Sequence, residues 1–213
     1  MTLTSSIPKN SASLLIGPPL AGEKHIIYRY VQESLAKKEP VLFVSTDRSP
    51  EAMKSEMTKD RIFLTKYETD GNLKYIDCYS HQTDEFLKDT GATRRVSGPL
   101  ALNEISIAMS DIERKFIRIN PQHLVIFDSL STMLMYANPQ MVGRFLQTII
   151  AKIKKAGGSI LLTMKEGMHD EKVVVTIEHL MDVVVHVKKD KGKTMMRADG
   201  LPDFDRWSKF GGK

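Results

Sequence analysis

Short, almost uninterrupted apolar runs alternate with stretches of helical spacing along most of this chain, and that alternation constrains its fold more than any other feature. Leu14-Leu15-Ile16 ends in Gly17-Pro18-Pro19 and reads as a buried strand breaking into a loop. From Lys24 the positions Ile27, Tyr30, Val31 and Leu35 fall at helical spacing, with Pro40 beyond their end. Val41 to Val44 is a second buried strand. Ser49-Pro50-Glu51 then offers an N-cap, a proline at the first helical position and an early acid, so a helix is predicted to run to about Lys59. Further strands are expected at Leu73 to Tyr79, His123 to Phe127 and Ser159 to Thr163. Two more helix faces are marked by Ile105, Met109, Ile112 and Phe116, and by Met141, Phe145, Leu146, Ile149 and Ile153. The polar stretch from His81 to Gly98 reads as a loop. Val173 to Ile177 and Val183 to Val187 read as closing strands, with Asp190-Lys191-Gly192 as a hairpin turn.

Strands apolar along their whole length belong to a mostly parallel sheet covered by helices on both faces. The closing strands leave no room for helices between them, so that edge is expected to be antiparallel. No repeat, low-complexity tract or linker divides the chain, and residues 1–213 are expected to form one α/β domain.

Three motifs carry candidate chemistry. Gly17-Pro18-Pro19-Leu20-Ala21-Gly22-Glu23-Lys24-His25 follows a strand and opens a helix, the setting of a phosphate-binding loop. Glycines let backbone N–H groups converge on phosphate oxygens, and the helix N-terminus favours an anion. The usual pattern has lysine after the second glycine and then a hydroxyl. Here Glu23 and Lys24 take those two places, and a strand-to-helix turn that binds nothing is the alternative. His123-Leu124-Val125-Ile126-Phe127-Asp128 is an apolar strand ending in aspartate, as in a Walker B element, where Asp128 would hold magnesium directly or through water. A plain turn is the alternative there too. Val44-Ser45-Thr46-Asp47-Arg48 ends the second strand, where Asp47 either orients an attacking water or is a simple loop residue.

Other groups are weaker candidates. His169, Asp170 and Glu171 are consecutive on a loop and are not expected to converge on a metal. Ser129 and Ser131 have no base placed beside them in the sequence, which argues against nucleophilic catalysis.

Composition narrows the class. With 41% hydrophobic and 27% charged residues the chain can bury a full core, so global disorder is excluded. No apolar run approaches the roughly 18 to 20 residues that cross a bilayer. Met1 to Asn10 lacks the charged-then-apolar pattern of a secretion signal, and the lone Cys78 suits a reducing cytoplasm. The net charge is +5, with basic groups at Arg94-Arg95, at Arg114, Lys115 and Arg118, and at Lys188 to Lys193. Only Phe116 interleaves with them, and it belongs to the apolar face of its helix, so a solvated basic face is expected ahead of a DNA-binding one.

Several stretches together resemble one family. Val125-Ile-Phe-Asp-Ser-Leu-Ser131, the Arg144-Phe145-Leu146 helix, Gly158-Ser-Ile-Leu-Leu-Thr163 and Leu180-Met181-Asp182-Val183 look like the archaeal KaiC/GvpD-like ATPases of the RecA superfamily. Ser45-Thr-Asp-Arg-Ser-Pro-Glu51 and Ile76-Asp-Cys-Tyr-Ser80 are similar to stretches of the same group. The resemblance covers essentially the whole chain. It implies a RecA-like P-loop NTPase fold, with ATP and magnesium at Gly17 to His25 and Asp128, and Asp47 where the family places its catalytic glutamate. It also implies a homo-oligomer or another protein partner, with Arg197 of the terminal hairpin reaching a neighbour's nucleotide. The altered loop and the short Asp47 point to an adenine-nucleotide-binding regulatory protein with little or no ATPase activity. A protein-interaction module or a DNA-associated recombinase paralogue are the alternatives.

Overall fold

The computed structural model describes residues 3–211. Its element order is α1 (Leu3–Ser6), β1 (Ala12–Gly17), α2 (Glu23–Ala36), β2 (Val41–Ser45), α3 (Pro50–Lys59), α4 (Thr65–Thr69), β3 (Leu73–Asp77), β4 (Thr93–Arg95) and α5 (Leu102–Ile119). It continues with β5 (Leu124–Asp128), α6 (Leu130–Tyr136), α7 (Pro139–Lys155), β6 (Ser159–Lys165), α8 (Glu171–Glu178), β7 (Val183–Asp190), β8 (Lys193–Asp199) and β9 (Ser208–Lys209). The strands form one sheet in the order β4-β3-β2-β5-β6-β1-β7-β8-β9. Pairing is parallel from β4 through β7 and antiparallel at β7–β8 and β8–β9, the expected antiparallel edge.

The two-residue period of a strand divides the core between the two faces of the sheet. Leu14, Ile16, Leu42, Val44, Val125 and Phe127 face a layer that includes Ile105, Met109 and Phe116 of α5 and Leu146, Ile149 and Ile153 of α7. Leu15, Val41, Phe43, Leu124 and Ile126 point the other way, toward Ile27, Val31 and Leu35 of α2 and Met53 and Met57 of α3. Both faces being buried is why these strands read as continuous apolar runs. Local signals set several boundaries: Ser49 caps α3 by accepting the Ala52 N–H, and Asn138 caps α7 ahead of Pro139.

The structure corrects the sequence reading in three places. Val173 to Ile177 is not a strand: it lies within α8, with Ile177 buried and Val173 and Val174 packed on the same core layer. β-branched residues favour strands, but positions i, i+1 and i+4 share a helix face, and here that burial outweighs propensity. The helix separates β6 from β7, which lies parallel to β1. The stretch from His81 to Gly98 is not wholly loop, because Thr93–Arg95 adds the edge strand β4 beside β3. The short helix α4, with no buried residue, left no periodic signal.

Phe127 is fully buried and meets Phe145 edge-on at 6.1 Å between ring centres. Phe127→Ala is expected to destabilise the protein by about 3–5 kcal/mol through lost burial and a residual cavity. Urea unfolding measures this, and a loss below about 1 kcal/mol would contradict the packing described.

Candidate functional site

Four neighbouring strands, β2, β5, β6 and β1, end on the same side of the sheet, and the candidate groups gather there. This is the side on which α/β folds bind ligands. β1 ends at Gly17, where an added Cβ would lie 2.6 Å from the Val187 carbonyl oxygen, so the strand can approach β7 only as glycine. The chain then turns through Pro18 and Pro19, with the Ala21 N–H donating to the Pro18 carbonyl at 3.2 Å. Leu20 takes φ +65° and Gly22 takes φ +99° before α2 begins at Glu23. A Cβ on Gly22 would strike Thr194 of β8, whose hydroxyl donates to the Ala21 carbonyl at 3.1 Å. The loop is thus held from the side by the terminal hairpin.

The loop's own side chains are already engaged. The Glu23 carboxylate folds back, with Oε2 accepting the Gly22 N–H at 3.1 Å and Oε1 paired with Lys165 Nζ at the end of β6. Lys24 turns away to α3, donating to both oxygens of Glu56 at 3.0 Å. His25 is exposed, and its backbone N–H donates to the Gly22 carbonyl at 3.2 Å.

Asp128 ends β5 with a side chain only 9% exposed. Its Oδ1 accepts the Thr163 hydroxyl at 2.6 Å, and its Oδ2 accepts Arg48 Nη2 at 2.7 Å. Arg48, 12% exposed, also donates through Nη1 to Glu56 at 3.1 Å and to the Tyr28 hydroxyl at 3.2 Å. The Tyr28 hydroxyl in turn donates to Glu56 at 2.7 Å, and burial together with that bond pushes the phenol well above its usual value. Behind this network Thr46 ties the ends of β2 and β5. Its N–H donates to the Asp128 carbonyl, and its hydroxyl donates to the Ser129 carbonyl and accepts the Ser129 N–H. The Asp128–Ser129 peptide is cis.

Asp47 lies at the rim, 3.9 Å from Arg48 Nε. Burial first, and then the Asp128 charge, raise its carboxyl to about 6, against the opposing pull of Arg48, Lys165 and Lys24. The structure therefore brings Asp47, Asp128, Glu23 and Lys24 to one site. It does not bring Arg197 there within the chain. Arg197 on β8 pairs with Asp199 at 3.1 Å and lies over the Trp207 ring.

Both oxygens of Asp128 already accept hydrogen bonds, one of them from the Arg48 guanidinium, so a magnesium ion held there would have to displace that cation. At the start of α2 the Gly22 N–H is taken up by the Glu23 carboxylate.

Sequence reasoning passed over Arg48, Glu56, Lys165 and Thr163, although Arg48 adjoins Asp47. Their contacts span up to 142 residues of chain, and no local spacing encodes them. The structure also supplies a neighbour for Ser131 that the sequence did not, with His169 Nε2 2.9 Å from its hydroxyl. Ser131 is buried and already accepts the Lys165 N–H at 2.8 Å, so it remains poorly placed as a nucleophile.

This architecture is a RecA-like α/β fold. It superposes on the flagellar accessory protein FlaH from Methanocaldococcus jannaschii with a TM-score of 0.68 at 19% identity, covering 93% of this chain and 82% of that one. A KaiC-like protein from Pyrococcus horikoshii matches with TM-score 0.69 at 13% identity, over 95% and 84% of the two chains. An uncharacterized Pyrococcus horikoshii protein, solved with an unknown peptide, matches at TM-score 0.75 and 15% identity, over 96% and 94%. At these identities the likeness is one of fold. Residues 10–187 match the family of unknown function DUF7504, and the chain belongs to that family. None of the curated proteins matches it.

Asp47 yields a pH test. Its folded value near 6 exceeds the ordinary 3.8, so between these values the native state keeps a proton that the unfolded chain has lost. Stability attributable to this group therefore falls as pH rises through that window, and the full cost applies above it. With the side chain 41% exposed, solvent screening reduces the cost to about 1 kcal/mol. Asp47→Asn is expected to be more stable than the native chain at pH 7–8 by about that amount, with the difference vanishing below about pH 4. Denaturant melts across pH check this.

Proposed function

We propose that this chain is a cytoplasmic regulatory protein that binds adenine nucleotide weakly, without magnesium, and does not turn it over. The observation that carries the reading is the Arg48–Asp128 contact at 2.7 Å, which puts a guanidinium where a Walker B carboxylate would hold a metal. Phosphoryl transfer relies on positioning and on metal charge at the leaving and transferred oxygens. An arginine fixed to Asp128 and Glu56 supplies one positive charge but no open coordination position.

Several features support action through protein contacts. Gln82, Pro99, Leu100 and Tyr136 help line an open, mainly apolar recess of about 460 Å³ beyond the ends of β3, β4 and β5. Leu100 and Tyr136 are both well exposed there, and one fold neighbour was solved with a peptide. Arg197 stays a candidate for reaching a second copy of the chain. DNA is not favoured as the partner, since Arg94 pairs with Asp89, Arg114 with Asp111, and Lys188 lies over Trp207. No helix among the described residues is long and apolar enough to cross a membrane.

Calorimetry with ATP, in magnesium and again in EDTA, tests the reading. The expected Kd lies between micromolar and millimolar, a binding free energy of about −8 to −4 kcal/mol, and differs by less than about threefold between the two conditions. Nanomolar affinity, binding abolished by chelation, no heat at millimolar ligand, or steady magnesium-dependent hydrolysis would each overturn it.

A further inference from the structure

We infer that Glu23 is a built-in occupant of the phosphate seat, and that Lys165 of β6, once released from it, is the lysine that holds a metal-free phosphate chain there. The inference rests on the proposal that phosphates bind at Gly17 to Gly22, and it specifies how that site opens.

Glu23 stands where a phosphate loop ordinarily carries its lysine. One carboxylate oxygen accepts a loop amide, the Gly22 N–H, and the other meets Lys165 Nζ. An oxygen anion held by a backbone N–H at the start of a helix and by an ammonium group is what a bound phosphate would be. The carboxylate thus makes two of the contacts a phosphate would seek, from within the chain.

Lys165 is well placed to pass from one anion to the other. In the parallel ladder it is the partner of Gly17, so its side chain leaves the sheet beside the first residue of the loop. Its backbone is fixed, because its N–H donates to Ser131 Oγ and the next N–H, of Glu166, donates to the Gly17 carbonyl at 2.9 Å. Only the flexible side chain has to move. The other two cations are committed elsewhere: Lys24 to both oxygens of Glu56, and Arg48 to Glu56 and Asp128. Lys165 is the one whose partner is the loop's own anion. Exchange of Glu23 for phosphate leaves the ammonium paired and Arg48 in place, so it calls for no divalent cation.

The test measures binding of ATP and of inorganic tripolyphosphate, both in EDTA, by calorimetry. Glu23→Gln removes the charge at nearly constant size and is expected to tighten both ligands at least tenfold. Equal gains for the two place the effect on the phosphate chain, and a gain for ATP alone would overturn that assignment. Lys165→Met in the Glu23→Gln background is expected to erase the gain, whereas Lys24→Met there should leave most of it. Lys165→Met in the native chain should weaken binding at least tenfold, and this arm stands even if Glu23→Gln does not fold. A gain that survives loss of Lys165 or vanishes with Lys24, or affinities indifferent to Glu23 and Lys165, would overturn the inference while leaving the nucleotide reading intact. Absence of binding to every variant would instead overturn that reading, and the inference with it.

Discussion

A parallel ladder buried on both faces is the constraint on which the rest of this molecule depends. Parallel strands need crossover connections, and the crossovers here are helices that cover the sheet. Every strand from β4 to β7 runs the same way, so their carboxyl ends form one rim. β2 delivers Asp47 and Arg48 there, β5 delivers Asp128, β6 delivers Thr163 and Lys165, and β1 delivers the glycine loop. Residues far apart in the chain become neighbours because their strands are hydrogen-bonded neighbours, in the order β2-β5-β6-β1.

What gathers at that rim is a set of paired charges, with Asp47 at its edge. Arg48 answers Asp128, Lys165 answers Glu23, and Lys24 answers Glu56. Removing one partner from a buried ion pair is far costlier than an exposed pair is worth, by about 3–5 kcal/mol against at most about 1. Arg48 and Asp128, both largely buried, belong to the first kind, and Lys24 with Glu56 to the second. A ligand can therefore displace the outer contacts more readily than it can lift Arg48 from Asp128. Lys165 with Glu23, at 26% and 13% exposed, lies between the two, and the proposed exchange of Glu23 for phosphate acts on that intermediate pair.

The terminal hairpin completes the loop's surroundings. Thr194 packs against Gly22 and holds the Ala21 carbonyl, and Val187 leaves no room for a Cβ at Gly17. Two glycines of the motif are thus required by contacts with β7 and β8 and by a positive φ at Gly22, independently of any ligand. Their presence is evidence for a tight loop first and for phosphate only through the amides that the loop exposes.

Much of the architecture was legible in the residue pattern. Continuous apolar runs, the Ser49-Pro50-Glu51 start of α3 and the Asp190-Lys191-Gly192 turn are local signals, and local energetics decides them. The sequence likewise placed Gly17, Asp47 and Asp128 at strand ends, the positions from which α/β sheets act. Val173 to Ile177 reads as a strand where the structure has a helix, since β-branched residues fit both until a core face selects one. Nor could the sequence decide what Asp128 and Glu23 hold, because Arg48 and Lys165 reach them across 80 and 142 residues. Periodicity and capping act within a few residues and are written in the chain. The pairing of charges at a rim depends on strand order, which only the packed sheet determines.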